Sequence, residues 1–130
     1  MRLLLDTHIL LWYVLDDPQL SFTARAMILD PANEILISPA SFWEVAIKVS
    51  IGKLELHAPY EDFFDLCFNR YGFAILPVEL RHAARVAHLP FYPGHKDPFD
   101  RLLVAQALTD DLTLLSIDTK LDQYGVTRLG

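Results

Sequence analysis

The chain holds a single cysteine, Cys67, among its 130 residues. That excludes an internal disulfide and a cysteine-based zinc cluster, and it suits a reducing cytoplasmic compartment. No apolar run approaches the roughly 20 residues needed to span a bilayer. Met1-Arg2 followed by three leucines has the outline of a secretion leader, but Asp6 and His8 interrupt the run. No small-residue cleavage pattern follows, so no removable leader is expected. Basic charge is also scarce: 11 Lys and Arg stand against 17 Asp and Glu, a net charge of −6. A protein that coats nucleic acid through a basic face is therefore a poor fit. Repeats, linkers and low-complexity segments are absent as well.

What is present is apolar. With 52% hydrophobic and 12% aromatic residues, residues 1–130 should form one compact domain with a substantial core. Arg2 to Leu5, Ile35 to Ile37, Phe73 to Leu76 and Leu112 to Ser116 read as short buried strands, with Gly125 to Leu129 as a small last one. Helices are expected between them. Thr7 to Leu15 is apolar on most sides. Ser21 can cap a helix running to about Asp30. Ser38-Pro39 opens another, with proline in its first turn, and Gly52 closes it. Pro59 and Tyr60 open an aromatic-rich helix through Phe68 that stops at Gly72. Glu79 to His88 is a short helix, and Asp97-Pro98 starts one that reaches about Thr109. Strands alternating with helices imply an α/β fold, a mostly parallel sheet of four or five short strands covered by helices on both faces.

Four acidic residues stand where apolar runs end or helices begin. Asp6 closes Leu3-Leu4-Leu5, and Asp118 follows Leu114-Leu115-Ser116-Ile117. Glu44 lies in the second turn of the helix after the second strand, and Asp100 lies near a helix start. Ligands of open α/β sheets sit beyond the carboxyl ends of the strands, so all four can face one crevice. Carboxylates beside buried segments are costly unless a cation compensates. Three aspartates and a glutamate suit hard oxygen-seeking cations such as Mg²⁺ or Mn²⁺. One or two such ions can activate a water for attack on a phosphodiester. Such ions would also offset four of the negative charges. Each residue has a plainer reading too. Asp6 can cap the following helix, Glu44 can pair with Lys48 four residues on, Asp100 can serve the helix dipole, and Asp118 can start a turn. It is the joint placement that favours a metal site.

These residues resemble a known family. Leu3-Leu4-Leu5-Asp6-Thr7-His8, the helix Ser41-Phe42-Trp43-Glu44-Val45-Ala46-Ile47-Lys48, the run Asp97-Pro98-Phe99-Asp100-Arg101-Leu102-Leu103-Val104-Ala105-Gln106-Ala107, and Leu115-Ser116-Ile117-Asp118 together look like PIN-domain proteins. They look most like the VapC-like toxins of bacterial toxin–antitoxin pairs. The resemblance covers essentially the whole chain in motif order, and the Asp-Pro-Phe-Asp-Arg segment is its most specific part. It implies a PIN-like α/β/α sandwich and a metal-dependent endoribonuclease. It also implies a homodimer and a small antitoxin protein that holds it inactive. Residue by residue, Asp6, Glu44, Asp100 and Asp118 match the family's four acidic positions and its metal ligands. Asp97 matches an acidic position of this branch, where it bridges through water, supports the site or caps the helix. Thr7 and Ser116 are hydroxyl residues beside ligands, open to a hydrogen bond in the site or to a structural role. Arg101 can bind phosphate, or pair with Asp97 along the helix.

Other residues read more plainly. The five histidines do not cluster in sequence. His95, in the Pro90–Pro98 loop, is the best placed for substrate contact, although a solvated loop histidine is the simpler reading. Trp12, Tyr13, Trp43, Phe63, Phe64 and Phe68 suit a core or dimer surface. Phe91-Tyr92 can stack on RNA or dock a partner. The Tyr60–Phe68 helix is where an antitoxin segment is expected to bind. An aspartyl-phosphate phosphatase would carry a second aspartate at position 8, where His8 stands. A two-component receiver would carry a strand-end aspartate near mid-chain, and none is found. The remaining alternative is a catalytically silent PIN-fold module that binds protein.

Overall fold

The computed structural model describes residues 1–130. Five strands, β1 (Arg2–Leu5), β2 (Glu34–Ile37), β3 (Ala74–Ile75), β4 (Thr113–Leu115) and β5 (Arg128–Leu129), form one sheet in the order β3-β2-β1-β4-β5. Every pairing is parallel, with Leu4 of β1 opposite Leu36 on one side and Leu114 on the other. The mostly parallel sheet expected from the alternation is thus wholly parallel.

A parallel sheet buried on both faces needs apolar residues at successive positions, and Leu3-Leu4-Leu5 provides them with no exposure at all. Leu3 and Leu5 face a core shared with α1 (Thr7–Val14), α2 (Phe22–Leu29) and α3 (Pro39–Ser50). Leu4 faces the opposite core, filled by Leu103 and Val104 of α6 (Pro98–Asp110) and by Leu121 and Tyr124 of a 3₁₀ segment, Thr119–Tyr124. The central strand β1 therefore lies between two layers of helices, and its carboxyl end delivers Asp6 to one edge.

Local signals place the helices. The Ser21 hydroxyl accepts from Ala24 N–H at 3.0 Å, and that of Ser38 from Ala40 N–H at 3.1 Å. Pro39 and Pro98 occupy first-turn positions, where a missing N–H costs nothing. Two expectations change. The aromatic helix is only α4 (Asp62–Asp65), continued as a π-turn over Leu66–Arg70, in which Tyr71 N–H reaches back to Leu66 O at 3.0 Å. The last strand is two residues long, because Gly125 caps the 3₁₀ segment in a left-handed conformation with φ +79°. Between Leu80–His88 (α5) and α6, Tyr92-Pro93-Gly94-His95 makes a tight turn closed by His95 N–H on Tyr92 O at 3.1 Å. Its Gly94 has φ +77°, the conformation a Pro-Gly turn requires. No helix is long and apolar enough to cross a membrane.

Candidate metal centre

The sheet order brings the carboxyl ends of the neighbouring strands β1 and β4 together, and with them Asp6 and Asp118. Asp6 N–H continues the ladder by donating to Leu115 O at 3.1 Å. The Asp6 carboxylate is 6% exposed, and its Oδ1 caps α1 by accepting from Ile9 N–H at 2.8 Å. Asp118 caps the 3₁₀ segment by accepting from Lys120 N–H at 3.0 Å. Ser116 links the two: its hydroxyl accepts from Asp118 N–H at 3.1 Å, and its side chain also hydrogen-bonds Asp6. Capping is therefore part of what these aspartates do. Each bond engages one carboxylate oxygen.

Asp100 and Glu44 complete the group from the helices. Burial pushes the Asp100 carboxyl up to about 6, helped by the negative charges of Asp97, Asp6 and Glu44. Burial likewise raises Asp6, against the hydrogen bonds from Ser116 and Ile9, and Glu44 adds to the rise. These mutual effects mean that Asp6, Glu44 and Asp100 share one electrostatic environment. Asp118 joins it through Asp100: donor atoms of Asp100, Asp118 and His95 lie within 4.8 Å of one another. Compensation is thin. Glu44 pairs with Lys48 at 3.5 Å, as the helical spacing allows, while neither Asp6 nor Asp118 forms an ion pair. A partly buried carboxylate group short of cations fits a hard divalent ion.

The supporting residues divide. Asp97 caps α6, its Oδ1 accepting from Phe99 N–H at 2.8 Å and Asp100 N–H at 3.1 Å. Thr7 donates to Ser41 Oγ at 3.1 Å and so ties α1 to α3. Arg101 meets neither expectation attached to it. It makes no pair with Asp97. Its guanidinium is buried, donating to Pro90 O at 2.8 Å, Leu89 O at 3.3 Å and Tyr124 Oη at 3.3 Å, with the Phe91 ring 4.0 Å away. A side chain spent on backbone carbonyls has no free fork for phosphate.

His95 is the residue that sequence reasoning undervalued. The solvated loop histidine is in fact 4% exposed. Its Nδ1 lies 2.6 Å from Tyr124 Oη and its Nε2 3.5 Å from Asp100 Oδ2. The usable signal was Pro93-Gly94, which fixes a turn and aims the next residue. The partner that buries the ring comes from 29 residues away and left no local trace. Cys67 is buried, and burial pushes its thiol up to about 12, which removes it as a nucleophile.

Aromatic residues flank the site. Trp43, beside Glu44, is 64% exposed and meets Phe99, beside Asp100, edge to face with ring centroids 5.3 Å apart. Trp43 is thus not a core residue. Together with Val78, Val86, Phe91 and Leu102 the two rings line an apolar groove of about 580 Å³ next to the carboxylates rather than over them.

Fold and site together define the class: the chain matches the PIN-domain family model over residues 3–126 and belongs to that family. Within it, similarity runs to VapC-type proteins. A 60-residue stretch, 46% of this chain, is 38% identical to ribonuclease VapC16 of Mycobacterium tuberculosis (strain ATCC 25618 / H37Rv), and the match spans 43% of that relative. The chain thus matches less than half the length of that curated relative. Among solved structures, VapBC2 from Rickettsia felis bound to a promoter DNA fragment superposes with a TM-score of 0.71 at 17% identity, covering 99% of this chain and 98% of that one. FitAcB from Neisseria gonorrhoeae gives 0.67 at 20% identity, with 98% and 96% covered. VapBC-1 from nontypeable Haemophilus influenzae gives 0.64 at 18% identity, with 99% and 97% covered. At such identities these likenesses establish the fold.

Proposed function

We propose that residues 1–130 form a single nuclease domain, a metal-dependent endoribonuclease that acts as the toxin of a toxin–antitoxin pair. The observation that carries this is the gathering of Asp6, Glu44, Asp100 and Asp118 at one sheet edge with so little cationic compensation. Membership of the PIN family and the likeness to a ribonuclease support it. The four carboxylates would hold one or two Mg²⁺ or Mn²⁺ ions. When bound, such an ion stabilises charge developing on a phosphodiester and lowers the pKa of water. The chain's own contribution is position. Helix caps and the Ser116 bridge fix Asp6 and Asp118, and α3 and α6 present Glu44 and Asp100 from the side. No side chain is placed as a dedicated general base.

The partners follow the same reading. The solved relatives are described as VapBC and FitAB assemblies, and we assign this chain a small antitoxin protein and a second copy of itself as partners, in the cytoplasm. The antitoxin segment is assigned to the shallow apolar groove of Pro39, Phe42, Phe64, Phe68 and Ile75. A pull-down in which Phe64→Glu kept the partner at full strength would overturn that assignment. The function itself is tested by cleavage of a labelled single-stranded RNA pool with Mg²⁺, with Mn²⁺ and with EDTA. Metal-dependent cutting lost in Asp6→Asn and Asp100→Asn is the expected result. No cutting, together with no metal-induced rise in melting temperature, would leave the silent binding module.

A further inference from the structure

One polar atom at the candidate metal centre has no partner. His95 Nε2 is buried and forms no hydrogen bond. It is aimed at the carboxylates, 3.5 Å from Asp100 Oδ2, in the group whose donor atoms lie within 4.8 Å of one another. Buried polar atoms without partners are rare, and each asks for a reason. We propose that His95 Nε2 is a nitrogen ligand of a divalent ion shared with Asp100 and Asp118, so that the site favours Mn²⁺ over Mg²⁺. The inference rests on the metal-dependent reading above and adds a ligand that an all-carboxylate site lacks.

Three observations point this way. The first is spacing. An ion with ligands at about 2.1 Å holds them roughly 3 to 4 Å apart. Here the donor atoms lie within 4.8 Å of one another, and His95 Nε2 and Asp100 Oδ2 are 3.5 Å apart, close to that span. The second is the tautomer. Arg101 can only donate, so it takes one acceptor position on Tyr124 Oη. That oxygen lies 2.6 Å from His95 Nδ1, so an Nδ1–H can donate to its second acceptor position and leave the Nε2 lone pair facing Asp100 and Asp118. In the other tautomer Tyr124 O–H donates to Nδ1 and an Nε2–H faces Asp100 Oδ2 at 3.5 Å, so a bound ion would select the first tautomer. A ligating histidine commonly engages its second ring nitrogen in this way, which fixes the ring.

The third is rigidity. The Pro93-Gly94 turn sets the His95 backbone, while Tyr124 packs edge to face against both Tyr92 and His95. Arg101 in turn ties Tyr124 to the carbonyls of Leu89 and Pro90. Arg101 is then a positioning residue that acts through Tyr124. Imidazole shifts preference toward transition ions, whereas Mg²⁺ prefers oxygen.

The test is pulsed electron paramagnetic resonance on the full chain loaded with Mn²⁺, together with displacement of that Mn²⁺ by Mg²⁺. Directly bound imidazole should give nitrogen modulation that changes in ¹⁵N-histidine protein and vanishes in His95→Gln. The Mn²⁺-to-Mg²⁺ affinity ratio should fall roughly tenfold in the variant. Should His95→Gln fail to fold, His8→Gln carries the discrimination, because the exposed His8 is the histidine that acts on Asp6, as His95 acts on Asp100. Histidine coupling that survives His8→Gln supports His95, and coupling that disappears with it overturns the proposal. Mn²⁺ bound without histidine coupling, or with coupling intact in His95→Gln, overturns the proposal and leaves the four-carboxylate reading standing. A wild-type chain that binds no Mn²⁺ overturns both.

Discussion

Two buried histidines of this protein each face an aspartate, and they differ in whether the pair is satisfied. His82 on α5 has no exposed surface. Its Nδ1 accepts from Glu79 N–H at 2.9 Å and its Nε2 lies 3.1 Å from Asp110 Oδ2. Arg81 grips the same carboxylate with both guanidinium nitrogens. Every polar atom is used, and the result clamps α5 to the end of α6. His95 is also buried, yet one of its nitrogens is unpartnered, and its aspartate is pushed up to about 6 by burial and by neighbouring carboxylates. A group meant only to hold helices together is neutralised by its own chain. A group left uncompensated is costly unless something from outside completes it, and that is the physical signature of a site.

The comparison predicts opposite responses at the two centres. The largest is in activity: Asp6→Asn or Asp100→Asn should slow RNA cleavage by on the order of 10²-fold or more, while Asp110→Asn should leave the rate per folded molecule unchanged. Next is metal linkage. Mn²⁺ at a hundred times its dissociation constant should stabilise the wild type by about 2.7 kcal/mol. Urea titration with Mn²⁺ and with EDTA reads this out, and Asp100→Asn should lose most of the difference. Third, His82→Leu should cost about 2 kcal/mol in the same titration, since it leaves Asp110 and the Glu79 N–H short of partners. Stability unchanged in that variant would deny the clamp.

The pH dependence is smaller but has a definite sign. Asp100 is raised in the folded state to about 6 from an ordinary value of 3.8, so the folded protein holds this proton more tightly than the unfolded chain. Its contribution therefore makes the metal-free protein lose stability as pH rises from about 4 to about 6, with no further change above that. Asp100→Asn should flatten this part of the profile, and Mn²⁺ affinity should weaken below about pH 6, where the proton competes. Smallest of all, Lys48→Gln removes the Glu44 pair, a partly exposed helical contact worth about 0.5 kcal/mol at most. A larger loss would mean that Lys48 belongs to the site.

Much of this architecture is local and so could be read along the chain. Ser21 and Ser38 cap helices because a hydroxyl before an apolar run satisfies a free N–H wherever the rest of the chain goes. Leu3-Leu4-Leu5 suits a doubly buried strand because successive apolar residues can pack against both helical layers of a parallel sheet. Asp6 and Asp118 could be placed at the crevice edge for the same reason, since each follows a parallel strand, whereas the approach of Glu44 and Asp100 depends on how α3 and α6 pack. The PIN family and its VapC-like branch were recognisable on those residues. Boundaries blurred where packing rather than local preference decides, as in the π-turn after Asp65 and the two-residue β5.

What the sequence determined by itself is thus the alternation of strands and helices, their caps, and the aspartates that follow β1 and β4, all consequences of near-neighbour geometry. The tertiary structure alone decided that His95 is buried, that Arg101 serves Leu89, Pro90 and Tyr124 instead of a phosphate, and that Trp43 lies open beside Phe99. Each of those outcomes depends on a residue far along the chain arriving at the same place, and burial and pairing are properties of that meeting rather than of any one segment.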